Sequence, residues 1–180
     1  MFEGYSFSPI PVSPVPPSTS WSQLALGGSH SVAIDSDGNL WAWGRNDEGQ
    51  LGDGTTTERF SPQPVIGGAS DWIAVDAGTK HSVALKSDGT LWSWGYNSDG
   101  QLGSNDKTNR SAPEEVIGSD SNNKWISFAC GPYFTLAIKE DGTLWGWGDN
   151  SFGQLGDVTQ ENSSLVPVRI GGADIIWRSV

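Results

Sequence analysis

A chain of 180 residues with 24 Gly and 10 Trp, but one Met and one Cys, has the makeup of many short strands joined by turns and not of long helices. Its net charge of −11, with 10 Lys and Arg against 21 Asp and Glu, argues against direct nucleic-acid binding, which draws mainly on counterion release by Lys and Arg. No run of eighteen apolar residues and no signal-peptide pattern at the N-terminus leave no expected membrane segment, so the expected location is the cytoplasm, or a virion if the chain is phage-encoded.

Residues 1–20 are Pro-rich, and Ser8-Pro9-Ile10-Pro11-Val12 is expected to form an outer strand, with Pro restricting it to an edge. From Trp21 a unit of roughly fifty residues recurs, the self-similarity to be sought before anything else. Repeat 1 covers residues 21–71, repeat 2 residues 72–124 and repeat 3 residues 125–176, while Trp177-Arg178-Ser179-Val180 starts a fourth. Every tryptophan falls on this lattice. Trp21, Trp72 and Trp125 lead the copies, Trp41/Trp43, Trp92/Trp94 and Trp145/Trp147 form pairs within them, and Trp177 opens the last.

Within each copy the leading Trp starts one short apolar run, His30, His81 or Phe134 starts a second, and Leu-Trp-x-Trp-Gly forms a third. The second and third are joined by Ser36-Asp37-Gly38-Asn39, Ser87-Asp88-Gly89-Thr90 and Glu140-Asp141-Gly142-Thr143. Asp-Gly between two apolar runs is a hairpin signal because glycine accepts the positive φ of such turns. A Pro-containing stretch such as Ser61-Pro62-Gln63-Pro64-Val65 supplies a fourth, edge strand. The fold class is therefore all-β, a partial β-propeller of three tandem four-stranded antiparallel blades with incomplete terminal blades. By the two-residue period of a strand, both tryptophans of a pair point to one face and fill the gap between blades.

The run His-x-x-Ala-Leu-x-x-Asp-Gly-x-Leu-Trp-x-Trp-Gly-x-Asn-x-x-Gly-Gln-Leu-Gly stands nearly whole at His81 to Gly103 and at His30 to Gly52, and the third copy keeps Ala137 through Gly156 with Phe134 for the His. It resembles the repeat of the regulator of chromosome condensation family, most closely the short, acidic, regular repeats of its bacterial and phage-borne members. The resemblance implies the blades of a seven-bladed propeller, a ring that three copies are too few to close. The best-known member's exchange activity toward a small GTPase and its chromatin binding are associated with a projecting wedge and a basic tail, and neither is found in these residues.

Site chemistry is sparse. His30 and His81 occupy one repeat position and are expected to make buried structural hydrogen bonds, together with a structural role for the six paired tryptophans. Cys130 takes the place of Leu26 and Ala77 and is expected to be small and buried. Asp35-Ser36-Asp37-Gly38-Asn39 lacks the ligand spacing of a calcium loop, and Gly-Gln-Leu-Gly lacks the context of a phosphate cradle; it reads as a tight bend whose Gln bridges strands or blades. No catalytic residue, metal or cofactor is implied, and the chain is expected not to be an enzyme.

Binding is expected in the segments that break the repeat, Asp53 to Phe60, Ser104 to Ser111 and Asp157 to Ser164, with Glu58, Arg59, Lys107, Asn109, Arg110 and Glu161 forming a polar surface on one face. The expected function is a non-enzymatic scaffold that presents these loops to a protein, in self-assembly or in a larger complex, or to a glycan. It would need other chains to complete or cover the blade array. The alternatives are a phage tail or capsid accessory protein and a regulator resembling a GTPase exchange factor.

Overall fold

The computed structural model describes residues 20–119, 122–156, 161–171 and 176–179; the Pro9 to Val12 strand expected from the sequence lies outside them. The described residues contain twelve strands and no helix. Blade 1 consists of β1 (Trp21–Leu26), β2 (His30–Asp35), β3 (Leu40–Gly44) and β4 (Arg59–Pro64). Blade 2 consists of β5 (Trp72–Ala77), β6 (His81–Lys86), β7 (Leu91–Gly95) and β8 (Arg110–Glu115). Blade 3 consists of β9 (Trp125–Cys130), β10 (Phe134–Lys139), β11 (Leu144–Asp149) and β12 (Ser163–Ile170). Each blade is an antiparallel meander in sequence order.

The Asp-Gly hairpins follow from local chemistry. Gly38 has φ of 80°, its N–H donates to the carbonyl of Asp35, and the Asp35 N–H donates to the carbonyl of Asn39. The left-handed conformation at the end of such a loop is costly for any residue with a Cβ. Gly89 and Gly142 repeat it.

The outer strands begin earlier than the Pro-containing segments suggest. Arg59 and Arg110 pair with Gly44 and Gly95, so the ends of the presumed loop segments are sheet. The two-residue alternation is blurred there by Pro and by the register shift beside Gly44 and Gly95.

The core lies between blades. Val32, Ile34, Leu40, Ala42, Leu51 and Val65 on the trailing face of blade 1 pack on Trp72, Ala84 and Trp94 on the leading face of blade 2. Val83, Leu85, Leu91 and Val116 meet Trp125, Ala137 and Trp147 of blade 3 in the same way. Consecutive blades approach most closely through β1, β5 and β9, which makes these the innermost strands. Among the described residues nothing packs on the leading face of blade 1 as blade 1 packs on blade 2: Trp21 is 40% exposed, whereas Trp72 is 7% and Trp125 1% exposed. At the other end of the arc the Trp177 N–H donates to the Gly142 carbonyl at 2.9 Å, as Trp72 does to Gly38 and Trp125 to Gly89. Trp177 thus repeats the hydrogen bond by which Trp72 and Trp125 open blades 2 and 3.

Candidate functional site

Strand direction puts the β1–β2, β5–β6 and β9–β10 turns and the β3–β4, β7–β8 and β11–β12 loops at one end of the arc, the upper end, and the Asp-Gly hairpins at the other, the lower end. The upper end is where the loops of different blades meet. The β3–β4, β7–β8 and β11–β12 loops are each built around a buried asparagine. Asn46 Oδ1 accepts the Leu51 N–H at 3.0 Å while its amide donates to the carbonyls of Thr55 and Thr57. Asn97 does the same with the Leu102 N–H and the carbonyls of Asp106 and Thr108, and Asn150 with Leu155 and Glu161. A side-chain amide suits this position because it both accepts and donates, and so satisfies backbone groups turned out of the sheet. The Asn sits in the repeated Trp-Gly-x-Asn-x-x-Gly-Gln-Leu-Gly pattern. Its recurrence at one position of all three repeats is the signal in the sequence that marks it.

A second repeated device joins the blades. The carbonyl of Gln50 accepts hydrogen bonds from Ser82 Oγ and Trp94 Nε1, both at 2.9 Å, and the carbonyl of Gln101 accepts from Thr135 Oγ1 and Trp147 Nε1. The bridge between blades is thus the backbone at this bend. The Gln side chains fold back into their own loops instead, Gln50 Oε1 accepting the Glu48 N–H and Gln101 Oε1 the Asp99 N–H.

His30 and His81 complete the same cluster. His30 Nε2 lies 2.9 Å from Ser82 Oγ and His81 Nε2 3.3 Å from Thr135 Oγ1. Because each hydroxyl hydrogen is directed at a Gln carbonyl, the hydroxyl oxygen accepts and both imidazoles carry their proton on Nε2. These bonds link blades, not strands of one blade. Burial depresses both rings, His30 to about 4 and His81, also repelled by His30, to about 3, so both are neutral. The Phe134 ring takes the corresponding position: a Cβ on Gly131 would overlap it, as a Cβ on Gly78 would overlap His81 and one on Gly27 would overlap His30.

The tryptophan pairs divide. Trp94 and Trp147 are fully buried between blades, whereas Trp92 and Trp145 are half-buried nearer the rim, with their indole N–H groups bonded to Thr90 and Thr143 of their own hairpins. Trp41 uses Asp35 for this purpose at 2.9 Å. Burial pushes the Asp35 carboxyl up, but hydrogen bonds from Asn39, Trp41 and the Asp37 N–H outweigh it and hold the group below its ordinary range. On β7 the Trp side chains face blade 1 at two depths, so the expected filling of the gap falls mainly on Trp94; Trp147 has that part in blade 3.

The six proposed loop residues are separated by their contacts. Arg59 is clamped by Asp53, with Nε 2.7 Å from Oδ2, and Arg110 binds Asp106, Glu114 and the Thr108 carbonyl. These guanidinium groups hold their own loops. Asn109 reaches across to Glu48 Oε2 at 2.7 Å, and Glu48 Oε1 binds Lys80 at 2.8 Å, so a blade 1 carboxylate holds two groups of blade 2. Glu58, Lys107 and Glu161 are exposed. Residues 157–160 of the third loop lie outside the described residues.

Beside these loops run Tyr96 and Tyr133, with ring centroids 6.2 Å apart, and the Lys80 ammonium 5.4 Å from the Tyr96 centroid. Asp99 is held above its ordinary range by burial and by the charge of Asp149, against a smaller pull from Lys107. The upper end therefore carries aromatic rings beside a pair of mutually repelling carboxylates, Asp99 and Asp149. Nearer the axis, Cys130 is half-buried, its N–H donating to Asp76 at 2.7 Å; burial and the Asp76 charge raise its thiol well above the usual value, the opposite of an activated nucleophile. Among the described residues no three His, Cys, Asp or Glu groups converge to hold a metal, and no helix is long and apolar enough to cross a membrane.

Two models of the Regulator of chromosome condensation (RCC1) repeat match the chain, one at residues 37–85, 88–138 and 141–177, the other at 21–50, 72–101 and 125–154. The chain is 37% identical over 149 residues to the Ultraviolet-B receptor UVR8 of Arabidopsis thaliana, covering 82% of this chain and 33% of that protein. It is 36% identical over 129 residues to the Protein RCC2 homolog of Danio rerio, covering 71% and 26%. Among solved structures, human WBSCR16 is similar with a TM-score of 0.76 at 26% identity, over 87% of this chain and 40% of that one. Yeast RCC1 (Prp20) bound to Kap60 is similar with a TM-score of 0.74 at 27% identity, over 89% and 39%. The chain spans a third or less of the length of these two curated relatives, and by its three matched repeats it belongs to the regulator of chromosome condensation (RCC1) repeat family.

Proposed function

We propose that this chain is a non-enzymatic protein-interaction module that presents the upper end of its blade arc to a basic protein surface. The observation that carries the reading is the row of loops at the upper end, where Glu48 of the first loop holds Lys80 and Asn109 of blade 2, and Asp99 of the second feels the charge of Asp149 in blade 3 beside Tyr96 and Tyr133, in a chain of net charge −11. Glu58, Lys107 and Glu161 form the exposed fringe of that surface. Arg59 and Arg110 serve it indirectly, by fixing loop shape. Relatives lend support: yeast RCC1 is described in complex with Kap60, and Prp20p of Saccharomyces cerevisiae, 27% identical with a TM-score of 0.75, in connection with binding to Gsp1p and histones. The leading face of blade 1, where Leu24 and Leu26 are exposed beside Trp21, supports the second half of the reading, in which the arc works inside a larger blade array. The eukaryotic relatives lend no support to a virion role.

The test is binding of a lysine- and arginine-rich peptide, measured by calorimetry at two salt concentrations. An affinity that falls with salt and drops several-fold on Asp99→Asn with Glu58→Ala supports the reading. Unchanged affinity in that double variant refutes the placement. Accelerated nucleotide release from a small GTPase would instead favour the exchange-factor alternative, for which the likeness to Prp20p is the supporting observation.

A further inference from the structure

At the upper end the two seams between blades differ in one charge. Between blades 1 and 2 the Lys80 ammonium stands between Glu48 Oε1, at 2.8 Å, and the Tyr96 ring, 5.4 Å from its centroid. Asn109 covers the other oxygen of Glu48 at 2.7 Å. The backbone fixes the arrangement, because the Tyr96 N–H donates to the Lys80 carbonyl at 3.0 Å. Between blades 2 and 3 the same bond joins the Asp149 N–H to the Tyr133 carbonyl at 2.8 Å. Asp99 there takes the place of Glu48, its N–H donating to Gln101 Oε1 as the Glu48 N–H does to Gln50 Oε1. The three positions are refilled in another order, with a tyrosine where the lysine stood and a carboxylate where the tyrosine stood.

The second seam is left with two carboxylates and no ammonium. Among the described residues nothing donates a hydrogen bond to the Asp99 carboxylate, and Lys107 of its own loop draws on it by charge alone. Asp149 accepts from Ser151 and Gln154 of its own loop, which bring no charge. The Tyr96 and Tyr133 rings, 6.2 Å apart between centroids, stand beside the pair. A phosphate or carboxylate is repelled here. A metal ion would find two carboxylates and no third ligand of its kind, since no three such groups converge among the described residues. An ammonium on an apolar stem does fit: its charge relieves the repelling pair, and its methylene groups pack on a tyrosine face as those of Lys80 do in the first seam.

We infer that the seam between blades 2 and 3 receives a lysine side chain of the partner, its ammonium at Asp99 and its stem along Tyr133, and so completes between molecules the contact that Lys80 makes within the chain. The inference rests on the reading of the upper end as a surface for a basic protein, and it names the residue which that protein must bring and the place where it enters.

The test is calorimetric titration of the full chain with a lysine-rich peptide and with the same peptide acetylated on every lysine. Tyr133→Lys puts into the second seam the residue that the first seam already holds, so the fold is kept, and its ammonium should take the seat on Asp99 and weaken binding about tenfold. Tyr133→Phe keeps the ring and should leave the affinity unchanged, while Asp99→Asn should weaken it several-fold. Thr56→Lys adds the same charge at an exposed position of the first loop and should weaken binding by less than about threefold. The difference between the two lysine variants therefore reads the seat itself and not the net charge. Equal effects of Tyr133→Lys and Thr56→Lys, or equal binding of the acetylated peptide, would overturn the inference while leaving a basic partner elsewhere on the upper end. A chain that does not bind the unmodified peptide at all refutes the wider reading and this inference with it.

Discussion

Acidification from pH 7.5 to 5 should destabilise the fold through the two histidines, well before its carboxylates are protonated. His30 and His81 titrate near 6.5 in an unfolded chain and near 4 and 3 in the folded one. A base whose folded pKa is depressed holds its full contribution above pH 6.5 and loses it as the pH falls toward the folded values, because the unfolded chain then binds the extra protons. At pH 5 each histidine is about 1.5 pH units below its unfolded pKa and still neutral in the fold, which removes about 2 kcal/mol per residue and about 4 kcal/mol in total. That sum hardly depends on the folded values so long as they stay at or below about 4, and it is a large part of the roughly 5–15 kcal/mol of a typical domain. Asp35, Asp53 and Asp106 have carboxyls held below 3.8 and add their losses at lower pH. The assay is urea unfolding followed by tryptophan fluorescence at pH 7.5, 6.5, 5.5 and 5. His81→Phe, which copies the third blade's Phe134 into a site of the same shape, should halve the dependence, and adding His30→Phe should abolish it. A flat stability between pH 7.5 and 5, or an undiminished slope in the double variant, would refute the assignment of buried neutral histidines.

Further outcomes follow from the same contacts. Asn97→Ala should cost roughly 2–4 kcal/mol in urea unfolding, because it strips the Leu102 N–H and two loop carbonyls of a buried partner. Gly78→Ala should lower the thermal midpoint by several degrees, since the added Cβ would meet the His81 ring and lie 2.6 Å from the Gly131 carbonyl. Arg110→Ala should change global stability by less than about 1 kcal/mol, its ion pairs being at the surface, while amide exchange in residues 104–109 accelerates. Trp94→Phe loses the hydrogen bond to the Gln50 carbonyl and leaves part of the buried indole's volume empty between blades, and should cost about 2 kcal/mol more than Trp92→Phe, whose half-buried indole binds only its own hairpin.

The repeat, its strands and its turns are legible in the chain because they are short-range. Asp37-Gly38 needs only its four-residue surroundings to turn, and Leu40-Trp41-Ala42-Trp43 alternates between faces whatever lies beside it. The outer strands are half legible, since Pro marks their middles while Arg59 and Arg110 at their starts carry no strand signal. What tertiary structure alone decides is partnership across about fifty residues: that the Gln50 carbonyl and not its side chain receives Ser82 and Trp94, that Trp94 is sealed between blades while Trp92 stays near the rim, and that Glu48 takes both Lys80 and Asn109. The physical reason is that a blade satisfies its own ladder locally, whereas its faces and bends are completed only by the next blade, whose position the local sequence does not encode.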